Sequence, residues 1–193
     1  SRLILGVANS DSFCFNAHKT LGVPLSTSVL ISKNGDDLYN SFNNEASYLY
    51  QTHNDDYNLG QTSFECGRRN NSLKLWVLWK AIGTSGLEKI VDHEFDLAKH
   101  AREYVSSNSD YELYNFKDSL SVCFNFKNYD PIDLCSKLYE RNKIMVGYGR
   151  FNNKTFVRLV TINSQNTKKE IDSFFKILEK FSQDFGNEIK KIN

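Results

Sequence analysis

The run Asn16-Ala17-His18-Lys19 follows directly on Ser12-Phe13-Cys14-Phe15, an apolar-alternating stretch that reads as a strand. A lysine at the end of a buried strand, flanked by hydrogen-bonding Asn and His, sits where its amine can be desolvated and lose its proton. A neutral amine of this kind attacks a carbonyl carbon. The same local pattern also describes an ordinary surface turn, so the rest of the chain has to decide between the two.

Three other residue sets bear on the chemistry. In the predicted strand 155–162, alternation places Phe156, Arg158, Val160 and Ile162 on one face. A buried arginine left without its partner costs on the order of 3 to 5 kcal/mol, so Arg158 needs an anion, either an internal carboxylate or the carboxylate of a ligand. Tyr57 stands in a polar stretch, as a positioned proton donor or as plain surface. His18, His53, His93 and His100 show no metal spacing, since His93 and His100 lie seven apart on a predicted helix without a third ligand nearby. No metal site is expected, and the carboxylates offer no distinctive acid–base pair.

The elements that must position these groups follow in order. Leu21-Gly22-Val23-Pro24 reads as a turn, 28–32 as a short buried strand closed by Asn34-Gly35, and 36–42 as one or two helical turns. From Gln51 to Gly67 the chain is polar, glycine-punctuated and aperiodic, which predicts a mobile loop. Residues 71–82 read as a helix interrupted at Gly83. A second helix, opened by Thr84-Ser85, keeps Leu87, Ile90, Val91, Ala98, Ala101 and Val105 at helical spacing to about Ser106 and is expected to link two bodies. Beyond it lie strands at 111–115 and 121–127, a helix at 131–142 opened by Asp130-Pro131, and strands at 144–149 and 155–162. A last helix begins at the capping box Thr167…Glu170. This order predicts a compact α+β layer.

The 193 residues suffice for one substantial domain or two small ones. With 40% hydrophobic residues, 13% aromatic residues and a net charge of +1, the chain can build a core and has no basic excess suited to a nucleic acid. Leu3-Ile4-Leu5-Gly6-Val7-Ala8 is too short for a signal-peptide core, and no stretch approaches a membrane span, so no membrane partner is expected. Cys14, Cys66, Cys123 and Cys135 stand far apart, which suits reduced thiols in a cytoplasmic protein. The single methionine, Met145, and an opening at Ser1-Arg2 that reads as mid-element suggest a partial chain; a processed initiator before Ser1 explains the missing methionine equally well.

Taken together, several motifs resemble the pyridoxal-phosphate-dependent amino acid decarboxylases of the glutamate, cysteine sulfinate and aromatic amino acid group. They are Asn16-Ala17-His18-Lys19, Gly22-Val23-Pro24-Leu25, Ala46-Ser47-Tyr48-Leu49, and Cys66-Gly67-Arg68-Arg69 with Leu73-Lys74-Leu75-Trp76. The match continues in Phe156-Val157-Arg158-Leu159-Val160 with Asn163. It runs along nearly all of the chain, and its weight lies in the order and separation of the motifs.

The resemblance implies an α/β protein of fold-type I. Residues 1–83 would be the C-terminal part of the large, cofactor-binding domain, and 84–193 a linking helix and an α+β small domain. It implies pyridoxal 5'-phosphate as cofactor, Lys19 as the Schiff-base lysine, and Asn16 and His18 near the cofactor phosphate and its surroundings. Tyr57 would reach the neighbouring subunit's site and return a proton to the substrate carbon, and Arg158 would hold a substrate carboxylate. The region Gly83-Thr84-Ser85-Gly86 would approach the partner's phosphate. The implied activity is α-decarboxylation of a small acidic amino acid (glutamate, aspartate or cysteine sulfinate) in a homodimer. Aromatic or diamino acid substrates, or a non-catalytic dimerisation fragment, are the alternatives. Family members carry the aspartate for the pyridine nitrogen, the ring-stacking histidine and the main phosphate loop upstream of the lysine. This chain would therefore need an N-terminal part, in a longer or a two-chain enzyme.

Overall fold

The computed structural model describes residues 4–42, 62, 65, 67, 69–114 and 117–192. The polar segment around Tyr57 and the motif Ala46-Ser47-Tyr48-Leu49 lie outside them. The chain divides into two compact units, Ser1–Gly83 and Thr84–Asn193. Among the described residues no helix is long and apolar enough to cross a membrane.

In the first unit, strand β1 (Ser12–Phe15) pairs antiparallel with β2 (Val29–Ser32), Cys14 opposite Leu30 and Phe15 opposite Val29. Between them the chain makes the one-turn helix α1 (Ala17–Thr20) and turns at Gly22, whose φ of 63° is a backbone conformation that favours glycine. Helix α2 (Asp36–Phe42) follows, with Asp36 and Asp37 in its first turn, where they complement the helix dipole. The expectation that β1 and β2 are buried is corrected. Among the described residues the sheet they form has two strands, and Phe13, Leu30 and Ile31 are each 45% to 57% exposed. Alternating apolar residues show which side chains share a face, not whether a second layer covers it.

Helix α3 (Asn71–Ser107) is broken at Gly83, where φ 70° and ψ 176° leave helical space, so it consists of two helices, 71–82 and 84–107. The second of these belongs to the second unit. There, β3 (Tyr111–Tyr114), β4 (Ser121–Phe126), β5 (Gly147–Phe151) and β6 (Lys154–Val160) form an antiparallel sheet in the order β3-β4-β6-β5. Helix α4 (Pro131–Glu140) starts on Asp130, whose carboxylate accepts from the main-chain N–H groups of Ile132 and Asp133 at 2.8 and 3.0 Å. Helix α5 (Lys168–Phe185) opens on the expected capping box: Thr167 Oγ1 accepts from Lys169 N at 3.2 Å, and Glu170 Oε2 from Thr167 N at 2.7 Å.

The core of this unit lies on one face of the sheet. Val122, Phe124 and Phe126 of β4, Val157 of β6 and Tyr111 of β3 pack with Leu97, Ala101 and Val105 of α3, Leu134 and Leu138 of α4, and Ile171, Phe175 and Leu178 of α5. Glu179 ties three elements together by accepting on Oε1 from the hydroxyls of Tyr104 and Tyr111 at 3.0 and 3.1 Å and from Asn108 Nδ2 at 3.4 Å. Burial and this carboxylate push the Tyr104 phenol up to about 12. The strand expected at 144–149 runs instead from Gly147 to Phe151. Its place is set by the two-residue turn Asn152-Asn153, with φ of 47° and 61°, which closes the Phe151–Lys154 pair as a type I′ hairpin requires.

Candidate functional site

Helix α1 and the segment that returns to β2 assemble the first candidate cluster. Asn16 occupies the N-cap position of α1, and its Oδ1 accepts from Ser28 Oγ at 2.6 Å. His18 is fixed twice on Thr27. Its main-chain N–H donates to the Thr27 carbonyl at 3.1 Å, and its Nδ1 lies 2.8 Å from that oxygen and 3.1 Å from Thr27 N. A protonated Nδ1 donates to the carbonyl, whereas a bare one accepts from the N–H. In both tautomers Nδ1 is engaged on the main chain and Nε2 stays available. Thr27 is itself buried and donates through Oγ1 to Pro24 O at 2.9 Å, so the imidazole rests on a rigid support.

Lys19 follows on α1 with its side chain exposed and, among the described residues, without a hydrogen-bond or ion-pair partner. The expected desolvation at a strand end is therefore corrected: the lysine stands on a helical turn beyond β1. Even so, one turn presents an amine, the Nε2 of an anchored imidazole and the Nδ2 of an anchored amide. Such a set suits a carbonyl compound that also carries an anionic group: the amine bonds the carbonyl carbon, and the nitrogens serve as donors. The donor chemistry on α1 thus fits an aldehyde-bearing phosphate.

Arg158 belongs to the second unit, on the sheet face turned away from the helices. The register places Arg158 opposite Cys123 of β4 and opposite Gly147 of β5. The guanidinium is exposed and pairs with no carboxylate among the described residues; its Nε donates to Ser121 Oγ at 3.1 Å. The internal carboxylate that was one of the two expected partners is thus not found there. Burial pushes the Cys123 thiol up, and the positive charge of Arg158 draws it partly back. Nearby on the same face, Asn125 Nδ2 donates to Tyr114 OH at 3.1 Å, and the Tyr114 and Phe156 rings lie 5.5 Å apart.

Thr27, Ser28 and Ser121 are absent from the sequence-level candidates. Each meets its partner across a strand pairing or a turn, 9, 12 and 37 residues away. Glu94 was also missed, although a signal existed: it falls between Val91 and Ala98 on the apolar stripe of helix 84–107. It is fully buried, neither carboxyl oxygen has a hydrogen-bond partner among the described residues, and burial raises its pKa to about 7 against a smaller opposing effect of His93. Tyr57 lies outside the described residues.

Comparison with known proteins identifies the family and the fold. The family described as "Pyridoxal-dependent decarboxylase conserved domain" matches residues 1–127. An acidic amino acid decarboxylase of Mus musculus is 27% identical over 95% of this chain and 37% of its own length. The cysteine sulfinic acid decarboxylase of Homo sapiens is 29% identical over 94% of this chain and 41% of its own length. The crystal structure of mouse CSAD matches with a TM-score of 0.80 at 27% identity, over 95% of this chain and 41% of that one. The chain thus spans about two fifths of the length of these relatives. Its fold is that of the fold-type I pyridoxal-phosphate enzymes, and the chain belongs to the pyridoxal-dependent decarboxylase family.

Proposed function

We propose that this chain is the C-terminal part of an enzyme that removes the α-carboxylate of a small acidic amino acid with pyridoxal 5'-phosphate, the remainder lying in a longer polypeptide or a second chain. The observation that carries the reading is the presentation, on one turn, of the exposed Lys19 amine beside the anchored His18 and Asn16. The relatives, an acidic amino acid decarboxylase and a cysteine sulfinic acid decarboxylase, support the substrate class.

In this reading residues 1–83 complete the cofactor-binding domain and 84–193 form the linking helix and small domain. Lys19 holds the cofactor covalently, while His18 Nε2 and Asn16 Nδ2 face its phosphate and surroundings. Bound pyridoxal phosphate supplies the electron sink for the pair released as carbon dioxide leaves. Arg158 grips a substrate carboxylate through its guanidinium fork. Tyr57 returns the proton to the α-carbon, in the site of a neighbouring subunit of a homodimer. The cytoplasm is the proposed compartment.

Carbon dioxide release from aspartate, glutamate and cysteine sulfinate, compared with tryptophan and 2,4-diaminobutyrate, tests the proposal in the complete enzyme. Turnover should be confined to the acidic group. Preferred turnover of an aromatic or diamino acid would overturn the substrate class, and a colourless, inactive assembly would leave only a non-catalytic role.

A further inference from the structure

We propose that Ser121 is a positioning residue for substrate binding: by holding Nε of Arg158 it obliges the guanidinium to meet a carboxylate end-on, through its two terminal nitrogens. The inference rests on the substrate-binding role proposed for Arg158 and specifies how that role is performed.

A guanidinium can grip a carboxylate in two bidentate ways, side-on through Nε and one terminal nitrogen, or end-on through both terminal nitrogens. Here Nε donates to Ser121 Oγ at 3.1 Å, which removes the side-on donor pair. The contact is a cross-strand diagonal. Cys123 is the residue paired with Arg158, Ser121 is paired with Val160, and all four side chains share one face because residues two apart on a strand do.

Ser121 is well placed to hold the group. Its own main-chain N–H donates to Ser119 Oγ at 3.0 Å, and its strand is clamped between β3 and β6. On the other flank Arg158 faces Gly147, and a Cβ built there would meet nothing within 4 Å. The guanidinium therefore has a hydroxyl on one side, the side-chain-free Gly147 of β5 on the other, and no carboxylate competing for its terminal nitrogens among the described residues. An arginine free at all its torsions loses considerable rotamer entropy when it grips a ligand, and a fixed Nε lowers that loss before the ligand arrives.

The test compares Ser121→Ala, Ser121→Thr, Arg158→Met and the Ser121→Ala/Arg158→Met double variant in the pyridoxal-phosphate-loaded complete enzyme. Ser121→Ala should raise KM for the acidic substrate about threefold to tenfold, the weight of one hydrogen bond, with kcat and the visible spectrum of the cofactor kept. Ser121→Thr, which retains a hydroxyl on the strand, should restore most of the affinity. In the Arg158→Met background Ser121→Ala should add nothing, because its effect passes through the guanidinium. An independent readout is the NMR signal of the Arg158 Nε–H, which should shift and exchange faster in Ser121→Ala. An equal KM increase with and without Arg158, or an Nε–H signal unmoved by Ser121→Ala, would overturn the positioning role. An unchanged KM in Arg158→Met would instead sink the substrate role of Arg158 itself.

Discussion

Thr161 Oγ1 donates to the main-chain carbonyl of Glu94 at 3.0 Å, yet the carboxyl group of Glu94, fully buried in the stripe formed by Leu97, Ala98 and Ala101, has no hydrogen-bond partner among the described residues. A carboxylate without hydrogen bonds in such surroundings is strongly disfavoured against its neutral form, which is why its pKa stands near 7 rather than 4.5. In the unfolded chain the group releases its proton near 4.5. Between those values the folded state holds a proton that the unfolded state does not, so stability must fall as pH rises through this window.

The replacement Glu94→Leu should therefore stabilise the protein more at pH 8.5 than at pH 5, by a difference on the order of 2 to 3 kcal/mol. Thermal unfolding of the two proteins at both pH values measures this. Melting temperatures that differ by the same amount at pH 5 and pH 8.5 would show that Glu94 does not titrate in this range.

Thr167→Ala removes the hydroxyl half of the α5 capping box and should cost about 1 kcal/mol of stability without touching any proposed site residue. Denaturant unfolding should show a lowered midpoint at an unchanged slope. An unaltered midpoint would mean that the contact of Thr167 Oγ1 with Lys169 N contributes nothing in solution.

Much of the second unit was legible in the sequence, and the reasons are specific. Ile171, Phe175, Leu178 and Phe181 recur at helical spacing behind a capping box, and Asp130-Pro131 marks the start of α4 by local chemistry alone. The face shared by Phe156, Arg158 and Val160 also follows from alternation, although β6 stops at Val160 and leaves Ile162 outside. Local patterns did not reveal what depends on a remote neighbour. The alternation of Phe13 and Phe15 was the same whether or not a layer covered β1, and Ile144 and Val146 mimicked a strand that the Asn152-Asn153 turn starts later. In the candidate site, local pattern singled out Asn16, His18, Lys19 and Arg158 and the resemblance gave them roles, whereas Thr27, Ser28 and Ser121, which hold three of them in place, emerged only from the fold.

Arg158→Met should weaken substrate binding and turnover while the visible spectrum of the bound cofactor is kept. The loss of a charge-assisted pair amounts to roughly 1.5 to 3 kcal/mol. Steady-state kinetics with aspartate, glutamate or cysteine sulfinate measure it; unchanged KM and kcat would leave Arg158 as a surface residue bonded to Ser121.

Tyr57→Phe should keep the cofactor bound but slow the return of a proton to the α-carbon, so that side products such as an aldehyde accumulate. If the tyrosine serves the neighbouring subunit, dimers that combine one inactive Tyr57→Phe subunit with one inactive Lys19→Ala subunit should regain activity at one of their two sites. Verified mixed dimers with no activity would contradict the contribution across the interface.

The central claim is that the amine of Lys19 bonds the cofactor. Borohydride reduction of the pyridoxal-phosphate-loaded enzyme, followed by peptide mapping, tests it most directly. The account predicts a stable pyridoxyl group on the peptide containing Asn16-Ala17-His18-Lys19, attached at Lys19, and none in Lys19→Ala. A pyridoxyl group on any other lysine, or a reduced enzyme carrying none, would contradict it.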